Sequence, residues 1–242
     1  MATETIALIT GANKGIGLEV ATQLARRGVR VLVGARDETR GREAVDALRA
    51  QGLPVAPLHI DVTDDDGIAR AAHEIDDRYG RLDILINNAG ISGGAAGNPS
   101  EITVARMKQV YETNVFGVVA VTNALLPLLR ASTAGRIVNL SSGLGSLTLS
   151  SDPGLEFGRL NIMAYQSSKA ALNAITVAYA KELRPNGIKV NAADPGFTAT
   201  DFNNHRGYRT AEQAASIVVR LATLDADGPT GTFQDENGIV PW

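Results

Sequence analysis

Short apolar, β-branched runs alternate along this chain with longer stretches in which apolar residues recur at helical spacing. The runs predict strands over Thr5–Thr10, Val29–Gly34, Val55–Ile60, Leu82–Asn87, Arg136–Ser141, Ile188–Ala192 and Thr230–Phe233. The periodic stretches predict helices over Ile16–Arg27, Glu38–Ala50, Asp64–Tyr79, Ile162–Arg184 and Ala211–Leu224, with two more across Ser100–Ala131. The strands lack strict alternation of apolar and polar residues, as expected when both faces of a sheet are covered. Strands and helices alternating at this length imply an α/β chain: a Rossmann-type, doubly wound, mostly parallel seven-stranded sheet with helices on both faces and right-handed crossovers. There is no repeat and no linker-like shift of composition, so residues 1–242 are expected to form one domain. Only Ser92–Asn98 has low-complexity character.

Composition narrows the picture. With 44% hydrophobic and 20% charged residues, the 242-residue chain can bury a sizeable core. A net charge of −3 gives no reason to expect nucleic acid or an anionic membrane as partner. Cysteine is absent, which excludes disulfides, thiolate metal sites and a cysteine nucleophile, and fits a reducing compartment. His59, His73 and His205 lie far apart without ligand spacing, so no metal site is expected. No basic-plus-apolar leader precedes Ile6, and no apolar run approaches the roughly 20 residues of a membrane span. These features predict a cytoplasmic protein.

In such a sheet, ligands sit beyond the carboxyl ends of the strands. The first of these segments, Thr10-Gly11-Ala12-Asn13-Lys14-Gly15-Ile16-Gly17, joins a predicted strand directly to a predicted helix. Gly11 permits a tight turn, Gly15 lets backbone approach a phosphate, and Gly17 lets the helix pack close to its strand. The helix then directs its free N–H groups and its positive dipole end at an anion, the arrangement that receives a dinucleotide pyrophosphate. The spacing is T-G-x-x-x-G-x-G rather than G-x-G-x-x-G. Further along, Tyr165 and Lys169 lie four residues apart on one face of a predicted helix. Ser141-Ser142 ends a strand, Asn114 falls between two helical segments, and Asn87-Asn88-Ala89-Gly90 ends the fourth strand. Either serine of the Ser141-Ser142 pair can cap or turn the chain.

Taken together these motifs resemble the short-chain dehydrogenase/reductase family, over essentially the whole chain. The matching residues are Thr10-Gly11-x-x-x-Gly15-x-Gly17, Asp61-Val62, Asn87-Asn88-Ala89-Gly90, Asn114, Ser142, Tyr165-x-x-x-Lys169 and Pro195-Gly196-x-x-x-Thr200, in the family's order. Asn13-Lys14 and Ala35-Arg36-Asp37 look most like its carbonyl-reductase branch. The resemblance implies that Tyr165 is the proton donor in carbonyl reduction. It implies that Ser142 rather than Ser141 binds the substrate oxygen, that Lys169 holds the nicotinamide ribose, and that Asn114 holds a water linking Lys169 to solvent. A free phenol titrates near about pH 10, and the Lys169 ammonium is expected to lower it. Gly11, Asn13, Lys14, Gly15, Ile16, Gly17, Arg36, Asp61, Val62, Asn88, Ala89, Gly90, Pro195, Gly196, Thr198 and Thr200 would complete a cofactor site, with Asn88 acting largely through structure and backbone. Thr198 stands where the family usually has an apolar residue.

NAD-preferring sites place an acid after the second strand. Here Ala35 stands in that place, followed by Arg36, and Lys14 lies inside the glycine turn, so NADPH is the expected cofactor rather than NADH. Asp37 qualifies this, because it can pair with Arg36. Ser142 and Tyr165 are 23 positions apart, more than the family commonly has. The extra residues fall within 143–161, beside the substrate mouth, where Leu144, Leu155, Phe157 and Met163 are candidate apolar walls. The loop 201–210 is short, with Phe202, His205 and Tyr208 as further candidates. The expected activity is NADPH-dependent reduction of ketones or aldehydes. The same machinery run as an alcohol dehydrogenase, and a non-catalytic dinucleotide-binding sensor, are the alternatives. Monomer and homo-oligomer are both left open.

Overall fold

The computed structural model describes residues 4–94 and 96–242. Ala95, within the Ser92–Asn98 stretch, and the three residues before Glu4 lie outside them. Eight strands form one sheet: β1 (Ile6–Ile9), β2 (Arg30–Ala35), β3 (Val55–His59), β4 (Ile84–Asn87), β5 (Arg136–Leu140), β6 (Lys189–Ala193), β7 (Phe233–Asp235) and β8 (Gly238–Ile239). Their order is β3-β2-β1-β4-β5-β6-β7-β8. Every neighbouring pair is parallel except β7 and β8. The sheet thus has one strand more than the seven expected. Strand β8 is two residues long and returns from β7 through a tight hairpin, too short to leave a periodic signal.

The helices are α1 (Gly15–Arg26), α2 (Glu38–Arg49), α3 (Asp65–Tyr79), α4 (Val104–Tyr111), α5 (Gly117–Arg130), α6 (Leu147–Ser150), α7 (Met163–Leu183) and α8 (Ala211–Ala222). They bury both faces of the sheet. Ile6 and Leu8 of β1 join a core with Ile68, Ile75, Leu125 and Leu183 of α3, α5 and α7. Ala7 and Ile9, one residue out of phase, join a second core with Val20, Leu24, Val45 and Val218 of α1, α2 and α8. Successive strand residues point to opposite faces, so a strand packed on both sides must be apolar at every position.

The two helices expected across Ser100–Ala131 are in fact one. α4 and α5 join without a break through a π-helical turn, Glu112–Phe116. The resulting helix, Val104–Arg130, is the one described helix long and apolar enough to cross a membrane, and over half of its apolar window is buried. It packs on α3 and α7, so its apolar face belongs to the core.

Candidate active site

Beyond β1 the chain turns on Gly11 and Gly15, at φ +63° and +58°, conformations that disfavour any side chain. A Cβ on Gly17 would lie 2.5 Å from Asn88 Nδ2 and 2.8 Å from Gly11 O, so the helix reaches its strand only with glycine there. Asn88 Nδ2 donates to Thr10 O at 2.8 Å and Gly11 O at 3.0 Å. Thr10 Oγ1 accepts from the amides of Asn88 and Ala89, each at 3.1 Å. The turns after β1 and β4 are thereby stitched together, and the Asn88 side chain is spent on that. Helix α1 begins without a side-chain cap and without an acid in its first turn, whereas Asp37 caps α2. Its leading N–H groups remain available to an anion, so this turn fits a dinucleotide phosphate. Ile16 packs on the adjoining core. Asp61 Oδ1 accepts from Thr63 N at 2.9 Å and Thr63 Oγ1 at 2.8 Å, and Val62 is buried beside it, its carbonyl facing Gly117.

An open groove beside the turn is lined by Asn13, Lys14, Leu18, Arg40 and Asp201 among others. Lys14 Nζ binds Asp201 Oδ2 at 2.8 Å, joining the glycine turn to the loop after β6. Asp37 does not pair with Arg36: it accepts from Arg40 N at 3.1 Å and faces the Arg40 guanidinium at 3.5 Å. Arg36 makes no ion pair among the described residues, and its carbonyl meets His59 Nε2 at 3.1 Å. Arg40, in the first turn of α2, lines the groove as well, and no motif of the sequence singles it out.

The four candidate catalytic residues converge at the carboxyl ends of β4 and β5. The π turn carries Asn114, which is fully buried. Its Oδ1 accepts from Ile91 N at 2.9 Å, and its Nδ2 donates to Ile91 O and Ser168 Oγ, each at 3.0 Å. A Cβ on Gly90 would lie 3.4 Å from Asn114 Oδ1 and 3.7 Å from Lys169 Nζ, so both atoms face the same space.

Ser141 and Ser142 part company. Ser141 Oγ is buried and donates to Asn173 Oδ1 at 2.6 Å. Ser142 Oγ accepts from Leu144 N at 3.2 Å, which leaves its own proton free to donate. It also bears on the Tyr165 phenol, in the direction that lowers its pKa.

Lys169, 4% exposed, sits one helical turn beyond Tyr165 on α7. Its Nζ donates to Leu140 O at 2.6 Å and lies 5.5 Å from the centre of the Tyr165 ring. Burial lowers its pKa to about 8. The phenol, contrary to expectation, is pushed well above its ordinary value. Burial around its hydroxyl is the main cause and the charge of Asp194 the second, with Ser142 acting the other way. Tyr165 is half-buried, and desolvation is the largest influence on its phenol.

After β6, Pro195 and Gly196 turn the chain. Gly196 N donates to Asp194 Oδ1 at 3.0 Å, and Thr198 Oγ1 donates to Gly196 O at 3.0 Å. Thr200 starts a short 3-10 turn, and its Cγ2 lies 3.5 Å from where a Cβ on Gly15 would stand. Of the candidate walls, the Phe202 ring packs on Tyr165 at 5.6 Å between centroids. Phe157 lies over Gly143. Leu144 stays at the Ser142 turn, Met163 opens α7, and Leu155 is exposed. His205 turns instead to Asp201 at 2.9 Å, and Tyr208 is exposed and packs on Phe197. Asp194 is a site residue that the sequence reading missed. Its place at a strand's carboxyl end, just before Pro195-Gly196, was the available signal.

Residues 5–210 match the family model described as short chain dehydrogenase. A short-chain dehydrogenase of Penicillium roqueforti is 40% identical, the alignment covering 98% of this chain and 97% of the relative. The structure of salutaridine reductase from Papaver somniferum superposes with a TM-score of 0.84 at 32% identity, over 95% of this chain and 99% of that one. An NADPH-bound carbonyl reductase from chicken fatty liver gives a TM-score of 0.86 at 27% identity, over 99% of this chain and all of that one. With a Rossmann-type sheet, an uncapped helix behind a glycine turn, and a serine, tyrosine and lysine gathered at the same edge, the chain belongs to the short-chain dehydrogenase family of oxidoreductases.

Proposed function

We propose that this protein is an NADPH-dependent reductase of ketones or aldehydes. The observation that carries the reading is the convergence of Ser142, Tyr165 and Lys169 beside the glycine turn, with the phenol held protonated. When bound, the nicotinamide supplies hydride to the carbonyl carbon. Gly11–Gly17 and the start of α1 would hold its pyrophosphate, with Asp61, Val62 and the backbone of Asn88–Gly90 toward the adenosine. Lys169 would hold the nicotinamide ribose, and the Pro195–Thr200 turn the carboxamide.

Tyr165 then gives its proton to the substrate oxygen, and Ser142 donates a hydrogen bond to the same oxygen as charge develops there. A protonated phenol is the form that a donor to the substrate oxygen requires. Lys169 replaces the proton: an ammonium near pKa 8 gives one up readily around neutrality. The side-chain donors of Asn114 are already engaged by Ile91 and Ser168. A water beside Lys169 is therefore left with one lone pair of Asn114 Oδ1, or with a carbonyl freed by the π turn. Phe157 and Phe202 give the mouth an aromatic lining, and relatives of this chain include proteins named salutaridine reductase.

Lys14 and Arg36 would meet the 2′-phosphate, and Arg40 lines the same groove. Replacing Lys14 or Arg36 with alanine is expected to lower kcat/KM for NADPH roughly tenfold each relative to NADH, the scale of one exposed charge-assisted contact. Paired kinetics with the two cofactors and a panel of aromatic ketones, aldehydes and quinones tests this. An unchanged NADPH-to-NADH ratio in both variants contradicts the cofactor assignment.

A further inference from the structure

We propose that Asp194 is a positioning residue of the active site, whose single carboxylate takes the amide of Gly196 and packs closely on Gly143, and so fixes the turn carrying Ser142 against the turn that follows β6.

The sheet brings the two turns side by side. β5 and β6 are parallel, and Leu140 stands opposite Ala193. Ser141 N donates to Ala193 O at 2.8 Å, and Asp194 N donates to Gln234 O at 2.8 Å, which anchors the backbone of Asp194 between its neighbours. From there Oδ1 takes the amide of Gly196 at 3.0 Å. The backbone of Gly143 lies on the carboxylate's other side and lowers its pKa. Oδ2 lies 2.9 Å from where a Cβ on Gly143 would stand, and the Phe157 ring covers the same spot at 2.8 Å. A side chain at 143 would push the carboxylate and its turn apart.

The carboxylate forms no ion pair among the described residues. The cation that bears on it, Arg209, is engaged by both oxygens of Glu236. A half-buried charge is costly to keep unless hydrogen bonds such as that from Gly196 compensate it. For joining two turns alone, a neutral acceptor would serve at lower cost.

The charge has a further consequence. Asp194 from the end of β6 and Ser142 from the turn after β5 act on the Tyr165 hydroxyl, and Lys169 Nζ from α7 lies 5.5 Å from the centre of its ring. Asp194 in turn faces Asp235 on β7 and Arg209 from the loop before α8. Burial, then Asp235, raise the Asp194 carboxyl, while the backbone of Gly196, that of Gly143, and Arg209 lower it. In its ionised form Asp194 opposes ionisation of the phenol. The same residue that aligns Ser142 thus helps keep Tyr165 a proton donor.

Asp194→Asn keeps the shape and removes the charge and one of the two acceptors. In the cofactor-free protein, amide hydrogen exchange should quicken at least about tenfold at residues 143–146 and 196–200, with β1 to β4 unchanged. The second readout rests on the reductase reading. Run backwards, alcohol oxidation needs the phenolate, so its acidic limb should move toward lower pH by about half a unit or more once the neighbouring anion is gone. Asp194→Glu, which restores the charge, should bring the limb back toward the parent. If Asp194→Asn does not accumulate, Asp194→Ser carries the same test. Exchange rates and a pH profile equal to the parent's would overturn the proposal. A parent without turnover would instead sink the reductase reading and leave exchange alone to decide the role of Asp194.

Discussion

Ser141 and Ser142 are adjacent and chemically identical, yet the sheet sends one into the core and the other into the site. The strand's alternation decides it, because successive side chains point to opposite faces. Ser141→Ala leaves Asn173 Oδ1 without its donor and is expected to cost about 1–3 kcal/mol of stability with kcat nearly intact. Ser142→Ala should leave stability nearly unchanged and lower kcat by about a hundredfold. Urea unfolding and steady-state kinetics on both variants check the contrast, and equal effects on either measure would contradict it. The choice between the two serines is open from the residues themselves; in the fold Ser141 is bound to Asn173 on α7, which leaves Ser142 as the one for the proposed role.

Lys169 carries a pH signature that a surface lysine would not. Its pKa in the folded protein, about 8, lies below its ordinary value, so the unfolded chain binds the proton more tightly. The burial penalty is fully present below about pH 8 and is relieved as pH rises toward the ordinary lysine range. Lys169→Met should therefore gain on the parent by up to roughly 3 kcal/mol near pH 7, less the lost bond to Leu140, and by progressively less toward pH 10. Turnover should be lost at every pH. Denaturant titrations at pH 7 and 9.5 measure the difference, and a stability gap that does not shrink with pH argues against a buried ammonium. The tyrosine and lysine were legible as a pair from their spacing. Their electrostatics were not: a sequence shows which charges are near one another along a helix, but not how much water is left around them.

Among the elements, the strands and long helices were legible because a two-sided sheet and an amphipathic helix impose different periods on the chain. The elements that were missed are those set by one or two backbone bonds: the π turn at Glu112–Phe116, the hairpin strand β8, and the short helix α6. The π turn matters most, because it joins two expected helices into one and carries Asn114 into the site. The glycine turn, by contrast, was readable to the residue. Gly17→Ala would set a methyl 2.5 Å from Asn88 Nδ2 and against backbone carbonyl, forcing apart the turns after β1 and β4. The expected result is a loss of about 1–3 kcal/mol of stability together with weakened NADPH binding. Thermal unfolding and fluorescence titration with NADPH measure both. A variant that binds NADPH as the parent does would show that the close approach is dispensable.

At the scale of the whole molecule, three loops far apart in sequence meet at one edge of the sheet. Lys14 reaches Asp201, Phe202 packs on Tyr165, and Asp194 holds the Gly196 amide while lying against Gly143. The sequence placed each loop at a strand's carboxyl end, but contacts between loops depend on how the strands are ordered, which only the folded sheet shows. By the proposed function, this convergence makes Tyr165 the proton donor of an NADPH-dependent carbonyl reduction. The most direct test is NADPH oxidation by the parent and by Tyr165→Phe over the carbonyl panel, with NADPH binding measured in both. The expected result is a parent that turns over at least one carbonyl and a variant that binds NADPH equally but reacts about 100- to 10,000-fold more slowly. A variant that reduces the same substrate at the parent's rate would contradict the account.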